Sequence, residues 1–229
     1  MSRTGATREM WHFDEGLVVM QTGPDHVAEL EELQRIVFPT LAPEERFEAR
    51  HYLRHLELFP EGQLCVCDVQ RQPARVVGMT STIRMHFDFE HPDHTFADII
   101  QGGWLTSHDP SGPWLYGADL GTHPEYRRRG IARALYAVRC ELVRRLGLAG
   151  QLTVGMPSGY GAAKRDEGIS AEQYVAEVAA GTRRDPTISA QVSIGFSLGK
   201  LIPNYIRDPV CDGYGVVLVL PADREVRLP

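Results

Sequence analysis

Apolar residues recur along this chain with two periods, and the changes from one to the other mark its elements. Ile131, Leu135, Val138, Leu142 and Leu146 are spaced by three and four, which sets them on one face of a long helix that Gly147 stops. Val27, Leu30, Leu33 and Val37 repeat that spacing after Asp25, a helix-capping residue type, and the pattern ends before Pro39. Ala49, Tyr52, Leu53 and Leu56 share the stripe of a second helix whose first turn starts at Pro43. β-Branched and alternating runs predict strands at 17–21, 64–69, 76–87, 114–120, 151–155, 196–202 and 215–220. In the run 76–87, Met79, Ile83, Met85 and Phe87 fall on one face and Thr80, Thr82, Arg84 and His86 on the other. Ser170 with Gln173 makes a capping box for a helix that stops at Gly181, and Asp185-Pro186 opens a shorter one carrying Ile188 and Val192.

Two stretches lack a clear period. Residues 1–15 read as a loosely docked arm, which leaves 16–229 as one domain. The turn-rich segment 90–112 reads as a long connection, with Phe96, Trp104 and His108 set to border a pocket. A chain of 229 residues with 43% hydrophobic content can bury a single sizeable core.

Charge narrows the function classes. The formal net charge is −6, and basic residues are not interleaved with aromatic ones, so a nucleic-acid surface is not expected. Arg139, Arg144 and Arg145 lie mostly off the apolar stripe of the long helix and read as its solvated face. No apolar run approaches the roughly 20 residues of a membrane span, and the start lacks the apolar core of a secretory leader. The expectation is a cytoplasmic protein with no membrane partner. Cys65, Cys67, Cys140 and Cys211 show no Cys-x-x-Cys spacing and read as small buried hydrophobes. His51 and His55 lack the intervening glutamate of a zinc motif, and His91-Pro92-Asp93-His94 reads as a polar turn, so no metal is expected.

The chemistry concentrates where the run 114–120 gives way to the long helix, at Arg127-Arg128-Arg129-Gly130-Ile131-Ala132-Arg133. The first N–H groups of a helix have no partner within it, and the helix dipole adds positive charge there, so an anion fits. Gly130 and Ala132 let the backbone approach a ligand closely, and the arginines bring charge-assisted donors to phosphate oxygens. A diphosphate is the implied ligand.

This junction resembles the GNAT superfamily of acyl-CoA-dependent N-acyltransferases, whose pyrophosphate loop reads Gln/Arg-x-x-Gly-x-Gly/Ala; here it is Arg127-x-x-Gly130-x-Ala132. The preceding run 116–122, the His123-Pro124-Glu125-Tyr126 turn and the following helix stand in the family's order. Farther on, Glu172-Gln173-Tyr174-Val175, Asp185-Pro186-Thr187, Gly195-Phe196 and Leu201-Ile202-Pro203-Asn204-Tyr205 resemble the acyltransferase domain that some proteins carry in front of a carbon-nitrogen hydrolase domain.

The resemblance implies an α/β (α+β) GNAT fold: a central mixed, mostly antiparallel, splayed sheet of six to seven strands flanked by helices. It implies acetyl-CoA as co-substrate, held by residues 127–133 and by backbone groups of Leu120, Gly121 and Thr122, and a small-molecule or peptide amine as acceptor. It also admits a homodimer, and a hydrolase as partner. Asp119 is the carboxylate nearest the expected cleft and stands as the base, although strict alternation turns it away from Tyr116, Ala118 and Leu120 unless a bulge intervenes. His123 titrates in the right range for the same role or caps the turn. The family's acidic tyrosine has Gln191 in its place, which leaves Tyr160 as substitute, followed by Tyr116 and Tyr205. The alternative to an N-acetyltransferase is a non-catalytic acyl-CoA-binding regulatory module.

Overall fold

The computed structural model describes residues 9–226. Among them ten strands form two sheets of five. In the first, β1 (Glu9–Phe13), β2 (Leu17–Gln21), β3 (Leu64–Asp68), β4 (Arg75–Thr80) and a short β7 (Gly121–Thr122) lie side by side, all antiparallel. In the second the order is β5 (Thr82–Met85), β6 (Trp114–Gly117), β8 (Gly150–Gly155), β10 (Gly215–Pro221) and β9 (Ser197–Ile202), with β6 and β8 parallel and the other pairs antiparallel.

The strands expected at 76–87 and 114–120 are each divided between the two sheets. Met79 pairs with Gly121 and Thr82 with Gly117, so the second strand takes one residue more than the first over the same stretch. The N–H groups of Ala118 and Asp119 both donate to the Ser81 carbonyl, at 2.9 and 3.4 Å, which is the two-against-one count of a bulge. Beyond it the strands part. Residues 9–13, expected within a loosely docked arm, pair with β2 as an edge strand; residues 1–8 lie outside the described part.

Alternation along β3 assigns the two faces of the first sheet. Cys65 and Cys67 join the core under α1 (Val27–Val37) and α2 (Ala49–Leu58), while Leu64 and Val66 pack with Phe13, Leu17, Val19 and Val77 against Ile131, Leu135 and Val138 of α4 (Ile131–Arg145). The expected connection at 90–112 contains α3 (Phe96–Ile100), capped by Thr95, whose hydroxyl accepts from Asp98 N–H. Three further helices, α5 (Tyr160–Glu167), α6 (Ala171–Ala179) and α7 (Ile188–Ile194), share a core with Tyr136, Cys140, Val216 and Leu218.

Because α4 is packed on two sides, its buried arc is wider than the apolar stripe. Arg139 is therefore not part of a solvated face: it is 1% exposed, whereas Arg144 and Arg145 are exposed as expected. His51 and His55 are buried for local reasons, His51 Nδ1 accepting from Glu48 N–H and His55 Nε2 lying 2.7 Å from the Gly103 carbonyl. No helix among the described residues is long and apolar enough to cross a membrane.

Leu135 is fully buried between α4 and the first sheet. Leu135→Ala is expected to lower the unfolding free energy by about 3 kcal/mol, read from the denaturant midpoint at unchanged slope.

Candidate active site

The parallel ladder of β6 and β8 runs from Trp114 opposite Gly150 to Gly117 opposite Thr153, and there it ends. β7 continues as the edge of the first sheet, whereas Val154 and Gly155 continue β8 paired with β10. A V-shaped opening lies between β7 and β8, and α4 begins at its wide end. Gly130 sits just before the helix at φ +80°, a left-handed conformation that a Cβ would disfavour. The first hydrogen bond at this end runs from Ala134 N–H to the Gly130 carbonyl, so the N–H groups of Gly130, Ile131, Ala132 and Arg133 have no acceptor among the described residues. The Leu120 N–H, at the exit of the bulge, has none either.

The loop arginines divide. Arg129 turns away to the β1–β2 turn, donating to Asp14 Oδ2 at 2.7 Å and to the Glu15 carbonyl at 3.2 Å, with its guanidinium 5.4 Å from the Tyr126 ring centre. Tyr126 in turn donates to Asp68 Oδ2 at 2.8 Å, which anchors the loop to β3. Arg127 and Arg128 are exposed and Arg133 is half-buried. These three form no ion pair among the described residues and leave their charge for a ligand.

Asp119 lies in the bulge and is half-buried. Its Oδ1 accepts from Ser81 N–H, its Oδ2 from Gln34 Nε2 at 2.6 Å, and its carbonyl from the Thr80 hydroxyl at 2.6 Å. Burial pushes its carboxyl up to about 6, against the opposing pull of the Ser81 bond and the Arg139 charge. His123 leaves β7 at 7% exposure, with Nδ1 accepting from Glu125 N–H at 3.3 Å and Nε2 3.3 Å from Arg75 Nη2. Burial, then the charge of Arg75, holds its pKa below the usual histidine value.

The tyrosines fall elsewhere. Tyr160 opens α5 and packs edge-on against Tyr174 and Tyr214, at centroid separations of 5.6 and 5.5 Å. Tyr116 shares a hydrogen bond of 2.9 Å with Tyr205, in the core below α1 and α2. Neither joins the loop or Asp119.

A polar group that sequence reasoning missed lies on the α4 face at the closed end of the V. Gly117 and Gly155, the last residues of β6 and β8, lack the Cβ atoms that would collide with the Arg139 guanidinium and with Gln191 Oε1. Tyr136 lies between: its ring centre is 5.0 Å from Arg139 Cζ, and its hydroxyl accepts from Gln191 Nε2 at 2.9 Å. Arg139 Nε and Nη2 and Gln191 Oε1 are buried without a partner among the described residues. The signal in sequence was the spacing of Tyr136 and Arg139, one helical turn apart, on a flank of α4 outside its apolar stripe.

The cysteines are buried, as expected, but two of them are not simply hydrophobic. Cys65 Sγ lies 3.4 Å from His26 Nδ1 and Cys67 Sγ lies 4.0 Å from His26 Nε2, a set with metal-ligating chemistry. Hydrogen bonding to Cys65, then to His26, brings the Cys67 thiol down to about 6. His26 Nδ1 already accepts from Gly23 N–H at 3.1 Å.

Three comparisons place this geometry among known proteins. The family model described as the Acetyltransferase (GNAT) family matches residues 27–164. The "Probable hydrolase YhcX" of Bacillus subtilis is 33% identical over 200 residues, which are 87% of this chain; the chain spans only 37% of that protein's length. The "Uncharacterized N-acetyltransferase YkwB" of the same organism is 32% identical over 206 residues, 89% of this chain and 88% of its own. The solved structure of the GphF GNAT-like decarboxylase in complex with isobutyryl-CoA shares the fold, with a TM-score of 0.66 at 20% identity over 89% of this chain and 98% of that one.

The Asp119 carboxyl is expected to titrate near pH 6 in carbon NMR, the resonance being absent from Asp119→Asn. Between pH 3.8 and about 6 the native protein holds a proton that the unfolded chain has released. This group's contribution to stability therefore falls as pH rises through that window, and Asp119→Asn is expected to flatten the slope.

Proposed function

Because the chain belongs to the GNAT acetyltransferase family, we propose that it is an acyl-CoA-dependent N-acyltransferase that passes an acyl group, acetyl in the simplest case, to a primary amine by direct attack on the thioester. The observation that carries this reading is the set of four unpaired N–H groups from Gly130 to Arg133, next to the open edge of β7. A diphosphate fits there on three counts: backbone donors, the positive end of a fifteen-residue helix, and the charges of Arg127, Arg128 and Arg133. The pantetheine arm then lies along Leu120, Gly121 and Thr122.

The residues divide the chemistry between them. The Leu120 N–H is a fixed donor for charge developing on the thioester oxygen, and such donors contribute about 3 kcal/mol in acyl transfer. An amine of the lysine type is neutral in only about one molecule in a few thousand at pH 7, so a base is needed. Asp119, titrating near 6, is ionised at that pH, and each of its oxygens accepts only one hydrogen bond, leaving lone pairs for a proton. His123 has both ring nitrogens engaged and serves the turn. A small or peptide amine is the proposed acceptor, and the name of YhcX, a probable hydrolase of which this chain spans only 37%, supports a hydrolase as its partner.

Gln191 favours a second reading, a regulatory module that binds acyl-CoA without turning it over, because an amide cannot protonate a departing thiolate. Thiol release from acetyl-CoA, assayed over a panel of primary amines, separates the two. Turnover with any amine establishes the enzyme; tight binding with none establishes the module.

Gly130→Val places a β-branched side chain at φ +80° in the loop. It is expected to weaken CoA binding by about tenfold or more in calorimetry while circular dichroism stays that of the parent. Unchanged affinity would remove the diphosphate from this loop.

A further inference from the structure

A guanidinium that is 1% exposed and makes no hydrogen bond is among the most costly arrangements a core can contain. Arg139 is in that position. Asp119 lies near enough to feel its charge but forms no ion pair with it, and its carboxylate oxygens are held by Ser81 and Gln34. The amide oxygens of Gln191 and Gln151, whose nitrogens donate to Tyr136, are themselves buried without partners and carry no charge to offset a cation. Gly117 gives up its side chain to make room for this guanidinium.

The position is as informative as the lack of a hydrogen-bond partner. From the free N–H groups at the start of α4, the opening passes the edge of β7 and closes where the β6–β8 ladder ends, at Gly117 and Thr153. Arg139 stands at that closed end, about 12 Å along α4 from Ile131. A ligand with its diphosphate at Gly130 has its far end there, and in an acyl-CoA the far end is the acyl group. We propose that the preferred acyl group of this site is short and ends in a carboxylate, which Arg139 binds through Nε and Nη2. The proposal rests on the acyl-CoA reading above. The Tyr136 hydroxyl accepts from Gln191, so its own proton is free to supply a third donor to the same carboxylate. An uncharged acyl group leaves these donors buried against carbon; a carboxylate satisfies them with charge-assisted bonds.

The test is calorimetric binding of CoA, acetyl-CoA, butyryl-CoA, malonyl-CoA and succinyl-CoA to the parent protein, Arg139→Met and Arg139→Gln. Malonyl-CoA or succinyl-CoA is expected to bind the parent about tenfold more tightly than acetyl-CoA and butyryl-CoA. In both variants that advantage should fall below about threefold while the affinity for CoA itself changes by less than that. Equal affinities for charged and uncharged acyl groups in the parent overturn the proposal, as does a preference that survives the loss of Arg139. If the parent binds every form equally and CoA as well, the acyl-CoA reading stands and the carboxylate is refuted; if CoA does not bind, both fall. Should neither variant fold, the ranking in the parent decides.

Discussion

One additional residue opposite Ser81 holds this molecule's two sheets apart. With Gly117 and Gly121 fixed against Thr82 and Met79, the intervening Ala118, Asp119 and Leu120 cannot all take part in a regular ladder. β7 leaves the direction of β6, and the space beside β8 stays open. The distortion is secured by three bonds from two sides: the Ser81 N–H and the Thr80 hydroxyl hold Asp119 from the neighbouring strand, and Gln34 reaches it from α1. The bulge thus creates the opening, frees the Leu120 N–H and aims the carboxylate, all from a single change of register.

α4 unites the two ends of that opening. Its first turn offers unpaired donors and positive potential, in a chain whose net charge is −6. Two turns on, the same helix delivers Tyr136 and Arg139 to the narrow end. Its apolar residues bind the first sheet on one side, and Tyr136 and Cys140 pack among α5–α7 and β10 on the other. A helix gripped on both sides moves little, which suits an element that must keep both ends of one ligand in register.

Much of this was legible in the chain itself, and the exceptions share a cause. The stripe of α4, the strands β2, β3, β8, β9 and β10, and the cap at Ser170 follow from local periodicity and turn chemistry. The bulge does not, because a register step depends on the partner strand and leaves the pattern of 114–120 intact. β1 is a short edge strand whose residues alternate poorly, and α5, with Lys164, Arg165, Asp166 and Glu167 in its second half, is too polar to announce itself among glycines. In the site, the diphosphate loop was readable because its function resides in consecutive residues. The burial of Arg139 is not legible because it depends on Gly117, far back in the chain, and Gln191 stands out in sequence without its partner Tyr136 for the same reason.

Arg129 bears on how a ligand is met. Its bonds to Asp14 and the Glu15 carbonyl, with the Tyr126 ring beneath it, tie the loop to the hairpin of β1 and β2. One arginine is thereby withdrawn from recognition and made into a brace. The entropy of ordering the loop is spent during folding rather than at encounter, so the docking of an anion forfeits less freedom than the exposed position of Arg127 and Arg128 implies.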